Sequence, residues 1–248
     1  MYPIWNEDCV LGAAARIEDE TVDLIVTDPP FGIDGAKLDK HYNRKESNVL
    51  DGYVEAPDDY YGFSRAWLEQ ARRVMKPNAS MYIVSGWTNL RQLLNACHDL
   101  GLFLINHCVW KYNFGVYTQR KYVTSHYHVL YLKKSEKAKP TFNTHCRFTG
   151  ERDRTGSPLY RDMEDVWVIN REYQPGEVKN KNKLPDALVE KMIAYSSNEG
   201  DVVADFFLGN FTTAFCALKM KRKPVGFELN PASFQHNMDR LLKFNPSA

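Results

Sequence analysis

The sequence predicts an α/β fold, a parallel or mixed sheet covered by helices on both faces, from three observations. Short apolar segments alternate with helix-like segments over most of the 248 residues. The longer segments place apolar residues at helical spacing, as at Trp67, Leu68, Ala71 and Val74. The length suits one large domain, or a domain with an insertion, able to bury a substantial core.

Strands are expected at 2–5, 22–27, 79–85, 103–110, 126–132, 202–206 and 224–227, each a short apolar run between polar stretches. Helices are expected at 58–75, 88–100, 186–196, 211–221 and 232–243, with Pro77-Asn78 and Gly101 marking the ends of the first two. Two stretches break the alternation. Residues 33–57 are polar, without periodicity, and read as a long loop or flap. Residues 133–183 are again irregular and carry 12 Lys/Arg against 8 Asp/Glu, a local balance of +4. A structureless loop of that length is usually functional or a small module. The expected organisation is a first half at 1–132, an inserted segment at 133–183 and a second half at 184–248.

A net charge of +1, with 44% hydrophobic and 25% charged residues, is ordinary for a soluble protein, so any nucleic-acid contact must rest on local basic patches. Cys9, Cys97, Cys108, Cys146 and Cys216 are odd in number, widely spaced and without a C-x-x-C pair. They read as reduced thiols of a cytoplasmic protein, and no metal site is expected. The N-terminal residues show no basic region followed by an apolar one, and no stretch has the length and apolarity of a membrane span.

Asp28-Pro29-Pro30-Phe31 directly follows the apolar run Val22-Asp23-Leu24-Ile25-Val26-Thr27. An acid, two prolines and an aromatic ending a strand make a rigid corner for a flat, amine-bearing ligand. The lone pair of an exocyclic base amine is delocalised into its ring. A carboxylate and a carbonyl accepting hydrogen bonds from that amine favour a more nucleophilic nitrogen. Pro29 and Pro30 fix the backbone so that the Pro29 carbonyl can face the pocket, and Phe31 offers a face for stacking, worth roughly 1–3 kcal/mol in base-binding sites. A strand-ending proline turn capped by Asp28 is the alternative reading of these residues.

A second junction, 201–214, reads as strand, tight turn and helix start, and includes Asp205, Phe207, Gly209 and Thr212. Unpaired N–H groups at such a helix start can meet an anionic or carboxylate-bearing ligand. Glu228, about twenty residues beyond the turn at the end of the next strand, is placed to accept hydrogen bonds from ribose hydroxyls. Together they point to an adenosine-containing cofactor. A packed glycine turn with a surface glutamate is the structural alternative.

These motifs resemble those of the amino-group DNA methyltransferases that use S-adenosylmethionine. The order, Asp-Pro-Pro-Phe early and Asp-x-Phe-x-Gly-x-x-Thr-Thr late, resembles the circularly permuted beta class. Asn6-Glu7-Asp8-Cys9 is similar to the element whose aspartate holds the cofactor's adenine. The stretches 73–82, 125–130 and 165–167 also resemble family segments, so the likeness covers almost the whole chain. It implies a Rossmann-like methyltransferase fold with a mixed seven-stranded sheet, and S-adenosylmethionine as cofactor, held by Asp8, Cys9, Asp205, Phe207, Gly209, Thr212, Glu228 and Lys183. Asp28, Pro29, Pro30 and Phe31 would be the catalytic set. An acid at the first position is usual for adenine-N6 enzymes, whereas many cytosine-N4 enzymes carry serine. The chain departs from the family turn at Phe206, Asn210 and Phe211. Phenylalanine does not easily adopt positive φ, so the turn is expected either to change its backbone at Phe211 or to begin its helix earlier.

Reaching a base within a duplex requires flipping it out. Three groups of basic residues could contact DNA: Lys37, Lys40, Arg44 and Lys45 in the flap; Lys111, Arg120 and Lys121, interleaved with tyrosines; and Arg147, Arg152, Arg154 and Arg161 in the inserted segment, where the beta class keeps its target-recognition region. The expected function is sequence-specific adenine-N6 methylation of double-stranded DNA, accompanied in the class by restriction-modification and homodimers. The alternatives are a cytosine-N4 methyltransferase and a DNA-binding partner subunit that holds no cofactor.

Overall fold

A computed structural model describes residues 2–32, 56–113, 115, 118–160, 164–172 and 183–244. Its main sheet has eight strands in the order β1 (Ile4–Trp5), β10 (Lys223–Phe227), β9 (Val202–Asp205), β2 (Val22–Thr27), β3 (Met75–Ser85), β5 (His126–Lys133), β4 (Phe103–Lys111) and β8 (Val166–Val168). All seven expected strands are present, and β8 makes an eighth. Three alternating residues within the irregular stretch were too short a signal for sequence periodicity. From β1 to β3 neighbouring strands are parallel. β5 runs antiparallel to both β3 and β4, and β8 returns parallel to β4, which makes the sheet mixed.

The helices are α1 (Cys9–Arg16), α2 (Tyr60–Val74), α3 (Leu90–Asp99), α4 (Asp186–Ser196), α5 (Thr212–Lys219) and α6 (Pro231–Lys243). Sequence periodicity missed α1, which is short and alanine-rich. Asp8 starts it, with Oδ1 accepting the N–H groups of Val10 and Leu11 as an N-cap. β3 begins four residues earlier than expected. Its register shifts against β2 between Met75 and Ser80, and Pro77 sits in that irregularity, where a missing N–H costs no ladder bond.

The alternation of β2 divides the core. Ile25 joins Trp67, Leu68, Met81 and Phe227 on the face covered by α1, α2 and α3. Leu24 and Val26 join Tyr82, Val84, Leu188 and Met192 beneath α4 and α5. A third cluster, with Ile4, Leu208, Phe211, Met238 and Leu241, seats α6 at the β1 edge.

Within 133–183 the described residues carry regular structure where the sequence shows no periodicity. A 3₁₀ turn (Thr144–Arg147) leads into a hairpin of β6 (Phe148–Arg152) and β7 (Pro158–Tyr160), and β8 then joins the main sheet. Asp153 nucleates the hairpin turn, its Oδ1 accepting from the N–H groups of Thr155 and Ser157.

From β9 the chain moves outward to β10, with β1 at the edge beyond it, and from β2 it moves the other way to β3. The carboxyl ends of β9 and β2 therefore form a topological switch point, the place in an open α/β sheet where a crevice forms. Asp205 ends β9, and Asp28 follows the last residue of β2.

Candidate active site at the switch point

The Asp28 corner is held from two sides. Tyr60 donates its hydroxyl to the Pro30 carbonyl at 3.0 Å, and Asn89 donates an amide N–H to the Phe31 carbonyl at 2.8 Å. The Pro29 carbonyl has no such partner among the described residues. Gly32 follows at φ 66°, and a Cβ there would strike both Asn89 and Tyr60, so the chain can leave the corner only through glycine. Phe31 packs against Tyr127 with ring centroids 5.1 Å apart.

Asp28 is only partly covered as a residue, yet its Oδ1 is fully enclosed and makes no hydrogen bond. Burial pushes the carboxyl well above the ordinary carboxylate range. Neighbouring Asp205 adds to the shift, and the Arg171 guanidinium opposes it. An enclosed acceptor without a donor is costly, so the oxygen suits a ligand N–H. The fit is to an amine-bearing ligand.

Asp205 and Glu228 are arranged differently. Asp205 Oδ1 accepts the Thr27 hydroxyl at 2.8 Å and the Phe207 N–H at 2.9 Å. Burial raises its pKa to about 6, against the lowering pull of Phe207, Thr213 and Thr27. Glu228 Oε2 accepts the Gly209 N–H at 2.7 Å, and Oε1 that of Asn230 at 2.8 Å. Burial carries it to about 7, while those two N–H groups pull it down. Gly226 faces this turn, where a Cβ would collide with the Asp205 carbonyl.

Of the two outcomes expected at Phe211, a changed backbone or an earlier helix start, the structure shows neither. Phe211 itself takes φ 59°, with Gly209 at 51°, and α5 begins immediately after it. The left-handed backbone that glycine would favour is thus kept by phenylalanine, at a cost of roughly 1–2 kcal/mol. Full burial of the ring beside Phe234 and Leu208 offsets that cost. Thr212, the first residue of α5, is buried.

The remaining assigned residues fall in several places. The Cys9 thiol is buried and its pKa pushed up, so it stays neutral. Lys183 does not stand alone. It pairs with Asp186 at 3.1 Å and Glu172 at 3.4 Å, and lines the same cleft as Asp28 and Phe31. Arg120, Lys121 and Arg154 are exposed. The Lys111 ammonium bonds the Tyr112 carbonyl, and Arg152 bonds the Gly156 carbonyl within its own hairpin, so both are spent partly on local structure. Arg147 lies in the 3₁₀ turn. Lys37, Lys40, Arg44, Lys45 and Arg161 lie outside the described residues. Among the described residues no group of three His, Cys, Asp or Glu could hold a metal ion, and no helix is long and apolar enough to cross a membrane.

Sequence reasoning missed Arg171 and Trp110. The parallel pairing of β4 with β8, extended by the Ile169 N–H to the Lys111 carbonyl, brings the chain after β8 over the aromatic residues of β4 and β5. The only available signal was the position of Arg171 shortly after Asp165-Val166-Trp167. A wider groove of about 580 Å³ lies at the other end of the sheet, bordered by Asp19, Glu20, Arg73 and Lys134. Arg73 pairs there with Asp19 and Lys134 with Glu20, and the groove sits at the amino ends of the parallel strands, so the switch point is the better candidate.

The model of the N6/N4 DNA methylase family matches residues 22–238. The type II methyltransferase M.HpaI of Haemophilus parainfluenzae is 31% identical over 92% of this chain and 71% of its own length. M.BamHI of Bacillus amyloliquefaciens is 32% identical over 91% of this chain, which spans only 54% of that relative. Among solved structures, the M1.HpyAVI–SAM complex superposes with a TM-score of 0.69 at 20% identity, covering 97% of this chain and 99% of that one, and so shares its fold. With the family model spanning nearly the whole chain and both strand-end motifs at the switch point, the chain belongs to the N6/N4 DNA methylase family.

Proposed function

We propose that the protein transfers a methyl group from S-adenosylmethionine to the N6 amine of adenine in a specific sequence of double-stranded DNA, as a permuted beta-class enzyme. The observation that carries this reading is the enclosed, unpartnered Oδ1 of Asp28 beside Phe31. An exocyclic amine donating to that oxygen and to the Pro29 carbonyl would satisfy both acceptors while its ring meets Phe31. Asp28, held above the ordinary carboxylate range in the unliganded protein, would then be lowered by the donated N–H groups and remain the nearest acceptor for the proton that the nitrogen loses.

S-adenosylmethionine, when bound, would supply an electrophilic methyl group. The residues fit it. Glu228, on the turn beside Gly209, is a carboxylate for ribose hydroxyls. Asp8 and Cys9 at the start of α1 and Phe207 after β9 would border it, and Thr212 opens the helix below. The location of β9 beside β2 at the centre of the sheet, although far apart in sequence, agrees with a permuted order. The exposed Arg120, Lys121 and Arg154, the hairpin of 148–160, and Lys37, Lys40, Arg44 and Lys45, which lie outside the described residues, are the proposed DNA-facing parts, within the proposed division 1–132, 133–183 and 184–248.

Methylation of random-sequence DNA by the purified protein, read by long-read detection of modified bases, tests this. N6-methyladenine in one sequence context is expected. N4-methylcytosine would move the acceptor to cytosine, and no modification together with no binding of S-adenosylmethionine by calorimetry would overturn the enzyme reading.

A further inference from the structure

The cleft that contains Asp28 is closed, and Arg171 lies in it. Arg171 stacks its guanidinium carbon 4.4 Å from the ring centre of Tyr112, 5.3 Å from Tyr127 and 5.9 Å from Trp110. These rings form one cluster, with Trp110, Tyr112 and Tyr127 in mutual contact at 5.4 to 5.7 Å and Tyr127 packed on Phe31. The cleft bordered by Asp28, Phe31, Trp110, Tyr127 and Arg171 has a volume of about 10 Å³, room for about one water and far too little for a base. The Arg171 Nε is enclosed and makes no hydrogen bond, as is true of Asp28 Oδ1 across the same cleft. A guanidinium is planar, weakly hydrated and suited to aromatic faces. It is also the right shape to stand where a flat base would stack.

We propose that Arg171 occupies the seat of the target base and is displaced when the base enters, which makes it a specificity-determining residue. The proposal rests on the reading of this cleft as the base pocket. A base entering must exchange the stacked cation for its own ring. Arg171 offers Asp28 its charge, but Asp28 Oδ1 makes no hydrogen bond while Arg171 is seated, and only a base that donates an amine N–H supplies one. Thymine carries a carbonyl where adenine and cytosine carry the exocyclic amine, and this carbonyl would meet the Asp28 carboxyl as acceptor against acceptor, so thymine displaces the cation less readily. Arg171 therefore sets a threshold that favours amine-bearing bases before any methyl transfer.

Free adenine, with thymine as control, is titrated into the whole protein and followed by tryptophan fluorescence, comparing wild type with Arg171→Ala and Arg171→Lys. Adenine affinity is expected to rise about tenfold or more in Arg171→Ala and by less in Arg171→Lys, which keeps the charge but loses the plane. The gain is expected to vanish in the Arg171→Ala/Asp28→Ala double variant. Thymine discrimination is expected to narrow. Unchanged or weakened adenine binding in a folded Arg171→Ala protein, checked by its melting curve, overturns the proposal, as does equal behaviour of Arg171→Lys and wild type if Arg171→Ala does not fold. Methyl transfer to plasmid DNA by wild type, run in parallel, separates the two readings. Active wild type without an adenine gain refutes the role of Arg171 alone, whereas inactive wild type refutes the proposed function.

Discussion

At the end of β2 the Asp28 carboxyl keeps one enclosed oxygen without a partner, whereas at the ends of β9 and β10 the Asp205 and Glu228 carboxyls are engaged by Thr27 and by the N–H groups of Phe207, Gly209 and Asn230. Three neighbouring strand ends thus hold their acids on two opposite terms, that of β2 on one and those of β9 and β10 on the other. The first stores an unmet acceptor that a ligand amine can satisfy, which suits a group acting on the reacting atom. The second is already satisfied by its own backbone and keeps its shape before anything binds, which suits a group that only positions a ligand.

The comparison is broken most directly at Asp28. If its free oxygen serves the reaction and not the fold, Asp28→Ala removes methyl transfer by on the order of 10³-fold or more while DNA affinity in a filter-binding assay is retained. Its melting temperature is not expected to fall, because the substitution deletes a buried acid that repels Asp205 and makes no hydrogen bond through Oδ1. Near-normal turnover would remove the assigned role, and a large loss of stability would show that the corner is structural.

The turn at Phe211 sharpens the contrast, because there the fold resists in a different way. Phe211→Ala deletes a fully buried ring and is expected to cost about 3–5 kcal/mol. Phe211→Gly relieves the positive φ and recovers roughly 1 kcal/mol of that. Urea denaturation of both variants measures the difference. A glycine variant more stable than wild type would mean that backbone strain outweighs the burial of the ring.

Much of this arrangement was legible in the residues, and the exceptions have physical causes. The central strands β2, β3, β5 and β9 formed as runs of largely buried apolar residues, with β2 dividing its side chains between two helix-covered faces, whereas β4 keeps its apolar run although Phe103, Leu104 and Ile105 are exposed. Asp28 and Asp205 could be paired because strand-end acids after apolar runs must meet wherever their strands are neighbours. β8, three residues long, was hidden by brevity, and α1 is a short alanine-rich stretch that opens directly from the Asp8 cap after β1. Phe211 shows where local propensity misleads. Positive φ disfavours phenylalanine in isolation, but a tertiary cavity that fits the ring overrides the preference. Arg171 was illegible for a further reason. Its partners, Trp110, Tyr112 and Tyr127, are more than forty residues away, and only the β4–β8 pairing brings them under it.

The smallest expected effect concerns the pH dependence of the satisfied site. Burial raises Glu228 from an ordinary 4.5 to about 7 and Asp205 to about 6. An acid raised on folding contributes most to stability below its unfolded value, and the contribution is lost as pH rises through the folded one. In the unliganded protein Glu228 therefore withdraws up to about 3 kcal/mol between pH 4.5 and 7. Ligand hydroxyls donating to the ionised carboxylate act the other way, favouring its charged form, so affinity for S-adenosylmethionine is expected to rise across the same window. Calorimetry should find binding about tenfold weaker at pH 5.5 than at pH 8, with proton release near pH 6.5. Glu228→Gln, which cannot ionise, should bind weakly at both pH values and show a flatter dependence. If wild type and variant share one pH profile, Glu228 does not meet the ligand, and the satisfied carboxylate belongs to the turn alone.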